Sequence, residues 1–229
     1  MVDVAGADTV AVLTRAPSAG GKSRLFAALG RGADPDLLAA LLLDTIEGVA
    51  MPDARIVVAV TPREACDEIA RLIARNPQPT AIQTMGQPDG DLGVRMRGTM
   101  ATLFDAGARA VALVGSDLPS ITNTVVRRAF DRLVGDPDLL VLGPAVDGGY
   151  YLVAATRLPP VFEHIAWGSV DVLEQTCAAA AEAGLRVHLL DELADVDTVE
   201  DLRRVRISSR TAAWLRRNGI RSHADWPGG

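Results

Sequence analysis

Five Gly- and Asp-rich segments of this chain carry side chains suited to phosphate and metal chemistry. The first, residues 14–25 (TRAPSAGGKSRL), gathers Arg15, Lys22 and Arg24 around Gly20 and Gly21. Glycines let the backbone approach an anion, and cations just ahead of a helix N-terminus neutralise it, an arrangement suited to a di- or triphosphate. Gly21-Lys22-Ser23 ends like a P-loop, but Ala16 stands where that motif requires glycine, so the P-loop reading is rejected. A second segment, 86–96 (GQPDGDLGVRM), offers Asp91 and Arg95 as nucleotide contacts, while Asp91 is equally placed to cap the helix that follows.

The third segment, 115–120 (GSDLPS), presents the lone carboxylate of Asp117 between a glycine and a proline. Hard cations such as Mg²⁺ take carboxylate oxygens and bridge them to phosphate, and a simple turn cap is the alternative use. In the fourth, 143–152 (GPAVDGGYYL), Asp147-Gly148-Gly149 has the composition of a hairpin turn, yet both tyrosines of the protein, Tyr150 and Tyr151, stand beside it. The fifth, 195–202 (DVDTVEDL), contains a capping box from Thr198 to Asp201. That leaves Asp195 and Asp197 outside the helix, either of them suited to be a second metal carboxylate.

The elements that must hold these segments alternate between short β-branched runs and longer amphipathic ones, the pattern of a parallel-sheet α/β domain. Strands are expected at 9–13, 55–60, 80–84, 110–114, 139–142 and 186–190, and helices at 36–49, 63–75, 93–104, 124–134, 171–183 and 199–206. The first half reads as repeated βα units, the second as more mixed. In such sheets ligands bind at the C-terminal ends of the strands, which is where most of these segments fall. Residues 207–229 turn Arg-rich and polar and are expected to form an added helix and then a frayed tail.

With 229 residues, 48% of them hydrophobic, the chain is long enough for a real core, which excludes a largely disordered protein. A net charge of -6 gives no global attraction for nucleic acid. The two cysteines, Cys66 and Cys177, fit neither a disulfide framework nor a zinc knuckle and are expected to be reduced, buried thiols. No run reaches the length of a membrane span and no signal peptide is evident, so the expected compartment is the cytoplasm. Only nine residues are aromatic. The four phenylalanines fit core positions, whereas Tyr150, Tyr151 and Trp167 fall near the candidate pocket and Trp214 and Trp226 in the tail.

Taken in order, Ala16-Pro17…Gly20…Lys22-Ser23-Arg24-Leu25, Gly-Asp-Leu-Gly-x-Arg-Met at 90–96, Gly-Ser-Asp-x-Pro at 115–119, Gly-Pro-x-x-Asp-Gly-Gly-Tyr-Tyr-Leu at 143–152, Trp167-Gly-Ser and Asp-Val-Asp-Thr-x-Glu-Asp-Leu at 195–202 resemble the radical-SAM/selenodomain-associated transferase family. The first loop is one residue shorter between Pro17 and Lys22 than the common family form. This resemblance, over residues 9–206, implies a three-layer α/β/α, Rossmann-like GT-A nucleotide-diphospho-sugar transferase fold with a mostly parallel mixed sheet, followed by an extension at 207–229. It implies phosphate contacts from Lys22 and Arg24, to which the reading of the loops adds Arg15, Gly20, Gly21, Asp91 and Arg95 as candidate nucleotide or phosphate contacts. It implies metal ligation of Mg²⁺ or Mn²⁺ by Asp117 and Asp197. Substrate contacts would come from Asp147, Gly148, Gly149, Tyr150 and Trp167, with Asp117, Asp147 and Lys22 catalytic.

The implied partners are a nucleotide or nucleotide-sugar and a small-molecule acceptor, with no nucleic acid and no membrane span, and a homo-oligomer left open. Glycosyl transfer is the first expectation, nucleotidyl transfer to a phosphorylated small molecule the second, and a non-catalytic nucleotide-binding module the third.

Overall fold

The computed structural model describes residues 2–78, 80–204 and 209–220. Buried β-branched runs pair first. β1 (Asp8–Arg15) lies parallel to β2 (Ala54–Thr61) from Asp8↔Ala54 to Arg15↔Thr61, and β2 to β3 (Ile82–Gly86) from Ile56↔Ile82 to Val60↔Gly86. On its other side β1 is parallel to β4 (Ala110–Gly115). β5 (Leu139–Pro144) runs parallel to β7 (Arg186–Leu189), and β6 (Tyr150–Ala155) lies between β4 and β5, antiparallel to both. The sheet order is β3-β2-β1-β4-β6-β5-β7. This is a mostly parallel, mixed seven-stranded sheet of the α/β class, as expected.

Helices cover both faces, because each carries one apolar stripe that must leave water. On one face α2 (Pro35–Val49), α3 (Cys66–Arg75) and α5 (Asn123–Leu133) bury Leu42, Ile46, Ile69, Val126 and Leu133 against Val10, Val12, Ile56 and Val58. On the other, α4 (Leu92–Asp105) and α6 (Val172–Glu182) bury Met96, Met100, Leu103 and Ala180 against Ala11, Val57 and Val153. Each fully buried aliphatic side chain contributes about 2 kcal/mol. α2 starts where it does because Asp34 accepts from the amides of Asp36 (2.9 Å) and Leu37 (3.3 Å) and Pro35 presets the first turn.

Among the described residues, a third apolar cluster contains no strand residue. It joins Leu25 and Phe26 of α1 (Ser23–Ala28), Leu37 and Leu41 of α2, Val196, Leu202 of α7 (Val199–Arg204), and Trp214 and Leu215 of α8 (Ser209–Arg217).

The departures from sequence expectation are local. β3 lies two residues later than the 80–84 run, because pairing with β2 rather than composition sets its ends. β6 departs from the sequence expectation: the Asp-Gly-Gly turn is followed directly by a buried strand that returns antiparallel to β5. Cys66 and Cys177 are free thiols but only half-buried. The helix expected within 207–229 is present as α8, and Trp214 is not a surface marker: it is 2% exposed. The expected frayed tail beyond residue 220 and the last residues of the 199–206 helix lie outside the described residues.

Candidate functional site

Three loops at the C-terminal rim of the sheet bring Lys22, Asp117 and Asp197 together. Lys22 Nζ lies 2.5 Å from Asp117 Oδ2 and 2.7 Å from Asp197 Oδ1. Burial by itself would lower the pKa of the ammonium, but the two carboxylates outweigh it and the net shift is upward, so Lys22 stays charged. Asp195 completes the group: one carboxylate oxygen each from Asp117, Asp195 and Asp197 lie within 4.8 Å of one another. Burial first, then the charges of Asp117 and Asp197, push the Asp195 carboxyl up to about 7.

The fold fixes these positions through short connections. Asp117 leaves the end of β4, where the Leu118 amide donates to Thr45 Oγ1 of α2 (3.1 Å). The Val196 amide donates to the Asp117 carbonyl (3.1 Å), so the segment 195–197 is tied to the Asp117 loop while the Val196 side chain is anchored in the third apolar cluster. The capping box forms as expected: the Asp201 carboxylate accepts from the amides of Thr198 (2.7 Å) and Asp197 (3.1 Å), and Thr198 Oγ1 accepts from the Asp201 amide (3.2 Å). Lys22 caps α1 with φ 49° and ψ 45°, a left-handed conformation that residues with a Cβ seldom adopt.

Two chambers meet at this charged centre. One, of about 310 Å³, is lined by Arg15, Gly20, Gly21, Lys22 and Ser116 and shares Asp117 and Asp197. Arg95 stands near Arg15, and burial together with that like charge holds its pKa below the ordinary arginine value. The other, of about 230 Å³, is lined by Tyr150, Tyr151, Trp167 and Ser169 with Asp147, Asp195 and Asp117. Among the described residues, no Lys, Arg or His lines this second chamber. Tyr150 and Trp167 meet edge to face, with centroids 6.3 Å apart. Burial raises the Tyr150 phenol well above its ordinary pKa, so it keeps its proton. Asp147 sits on the β5–β6 turn, where its Oδ1 accepts from the Gly149 amide (3.0 Å).

Two glycines let the 162–172 segment close this chamber. Gly148 has φ +90°, and a Cβ there would stand 2.1 Å from the Val170 carbonyl oxygen. At Gly93 a Cβ would stand 2.4 Å from the Phe162 carbonyl oxygen and 2.6 Å from the Trp167 indole nitrogen.

Of the sequence candidates, the structure gathers Arg15, Gly20, Gly21, Lys22, Asp117 and Asp197 about one chamber and Asp147, Gly149, Tyr150 and Trp167 about the other. Gly148 supports the turn from behind. Arg24 points away as an exposed residue of α1, outside both linings. Asp91 acts as the N-cap of α4, accepting from the Val94 amide (2.9 Å), and lines a separate groove. Ser169, which the sequence offers only as part of the Trp-Gly-Ser motif, lines the second chamber, and Asp195 joins Asp117 and Asp197 rather than leaving Asp197 as the sole second acid.

A bacterial family model described as "Uncharacterized protein conserved in bacteria (DUF2064)" matches residues 45–169, more than half of the chain. This protein belongs to that family. The solved structure of a protein from Desulfovibrio desulfuricans G20, assigned to the nucleotide-diphospho-sugar transferases, is 31% identical, with 93% of this chain and 95% of that one covered and a TM-score of 0.76. More distant likenesses show the fold. The 4-diphosphocytidyl-2C-methyl-D-erythritol synthase of Anaerococcus prevotii DSM 20548 is 13% identical, covering 92% of this chain and 97% of that one at TM-score 0.56. CMP:2-keto-3-deoxy-manno-octonic acid synthetase, solved with CTP, is 14% identical, covering 93% and 100% at TM-score 0.50. No curated protein matches the sequence. The DUF2064 chain therefore has the fold of nucleotide-diphospho-sugar transferases and cytidylyltransferases, as its motifs implied.

Proposed function

We propose that this protein is a divalent-metal-dependent transferase that moves a sugar from a nucleoside diphosphate-sugar to a small-molecule acceptor. The observation that carries the reading is the contrast between the two chambers on either side of Asp117: one glycine-lined and cationic, the other aromatic and acidic. The diphosphate fits the first, where Arg15 and Lys22 neutralise it and glycine amides can approach it. Sugar hydroxyls fit the second, where Asp147 and Ser169 accept or donate hydrogen bonds and the rings of Tyr150 and Trp167 cover apolar faces.

The three carboxylates form an all-oxygen donor set, which suits Mg²⁺ or Mn²⁺ rather than a thiophilic metal. When bound there, such an ion would withdraw charge from the departing diphosphate. Lys22 and Arg15 share that task from the other side. In this reading Asp147 would orient the sugar or take the proton of the attacking hydroxyl. A phosphorylated acceptor, as nucleotidyl transfer requires, would meet three carboxylates and, among the described residues, no cationic side chain in the second chamber, and this favours glycosyl transfer.

The test is a panel of nucleotides and nucleoside diphosphate-sugars, each with and without Mg²⁺, read by thermal shift and product analysis. A diphosphate-sugar should raise the midpoint only with metal and be slowly hydrolysed to the diphosphate, and Asp117→Asn should abolish both effects. Exchange of labelled pyrophosphate into a triphosphate would instead establish nucleotidyl transfer. Binding without either turnover would leave a nucleotide-binding module, and the absence of any metal-linked shift would overturn the reading.

A further inference from the structure

Lys22 is bonded to the same acids that the proposed metal would need. Its ammonium touches Asp117 and Asp197, two of the three carboxylates that converge within 4.8 Å. Carboxylate oxygens lie about 2.0–2.1 Å from Mg²⁺ when they ligate it, so the ammonium and a divalent cation compete for the same lone pairs. Two like charges in so small a volume also repel strongly. Yet Lys22 belongs equally to the cationic chamber beside Arg15, Gly20 and Gly21, and its long aliphatic stem lets its charge be redirected without moving the backbone.

We propose that Lys22 is a two-position cation: it bridges Asp117 and Asp197 in the ligand-free protein and is released to a diphosphate in the adjoining chamber when those acids ligate a metal. The proposal rests on the transferase reading above and assigns a regulation to that site. A metal offered alone must break two charged hydrogen bonds of Lys22. A diphosphate gives the freed ammonium a new partner, so the two ligands bind with positive coupling, and each strengthens the other by the same factor.

The consequence has an unusual sign. Removing Lys22 should strengthen metal binding by the otherwise ligand-free protein while weakening diphosphate binding. The experiment titrates the full chain by calorimetry with Mn²⁺ alone and, separately, titrates the Mn²⁺-saturated protein with inorganic pyrophosphate. Lys22→Met should bind Mn²⁺ about tenfold more tightly than the unmodified protein and pyrophosphate about tenfold more weakly. Arg24→Met removes the same charge nearby but touches none of the acids, and should change Mn²⁺ affinity by less than about twofold, because exposed charges are screened.

Lys22→Met also leaves two carboxylates without their ammonium, so Mn²⁺ should raise its thermal midpoint by more than it raises that of the unmodified protein. Mn²⁺ binding that is unchanged or weaker in Lys22→Met overturns the two-position role while leaving the metal site intact. An equal gain in Arg24→Met also overturns it, since general repulsion would then suffice. If none of the proteins binds Mn²⁺, the metal-dependent reading falls and the proposal with it.

Discussion

Asp195 carries the largest electrostatic consequence at the residue scale. Its carboxyl, pushed up to about 7 first by burial and then by Asp117 and Asp197, holds a proton in the folded state that the unfolded chain releases near 3.8. The folded state therefore binds the extra proton between these values. The associated stability is full below the unfolded pKa and is lost as pH rises through the folded one. In metal-free buffer the thermal midpoint should fall between about pH 4 and pH 7, and Asp195→Asn should flatten that fall. An unaltered pH profile in the variant would show that another group is responsible. Sequence alone marked Asp195 and Asp197 as candidates because the capping box accounted for Thr198 and Asp201. It could not show that both reach Asp117, since residues almost eighty positions apart meet only through the sheet.

At the scale of elements, α8 acts as a fastening for the site. Asp44 of α2 is 3% exposed and accepts from the Thr211 amide (2.8 Å) and hydroxyl (2.7 Å) at the start of α8. The Trp214 indole donates to Asp34 Oδ2 (3.2 Å), and the Arg31 guanidinium lies 5.5 Å from the centre of the Trp214 ring. Thr45, next to Asp44, holds the Leu118 amide, and Val196 shares the Trp214 cluster, so α8 and α2 together back both acid-bearing loops. Thr211→Val removes one donor to a buried carboxylate and should cost about 1–3 kcal/mol, measured as a lower urea midpoint with an unchanged slope. An unaffected midpoint would mean that Asp44 finds an equivalent donor. The helical run around Trp214 was legible in the sequence, but its partner was not, because an amphipathic stripe states that a face is apolar and not what covers it.

At the scale of the molecule, a protein of net charge -6 still brings cations together at the C-terminal rim of its sheet. Arg15 and Lys22 line the first chamber and Arg95 stands near Arg15, although the net charge of the protein is negative. Diphosphate binding should therefore weaken as ionic strength rises from about 0.05 to 0.5 M, over which the Debye length shrinks severalfold. Arg95→Met should reduce that salt dependence, whereas a salt-independent affinity would argue that backbone amides rather than cations hold the phosphates. The parallel βα order of the first half, the strand-exit loops and the helix caps could all be read from the chain. β6, which turns back between β4 and β5, could not, and it is the strand that carries Tyr150 and Tyr151 to the second chamber.

What the chain determined by itself is local. Apolar periodicity, capping residues and glycine-rich turns depend on neighbours within a few positions, and they placed the helices, most strands and the polar loops at their ends. The tertiary structure decided which of those loops meet. Sheet register and the strand-free cluster around Trp214 set the distances among Lys22, Asp117, Asp195 and Asp197, and those distances turn separate polar residues into one charged centre. Charge coupling depends on separation in space, and no sequence spacing encodes that separation until the sheet has formed.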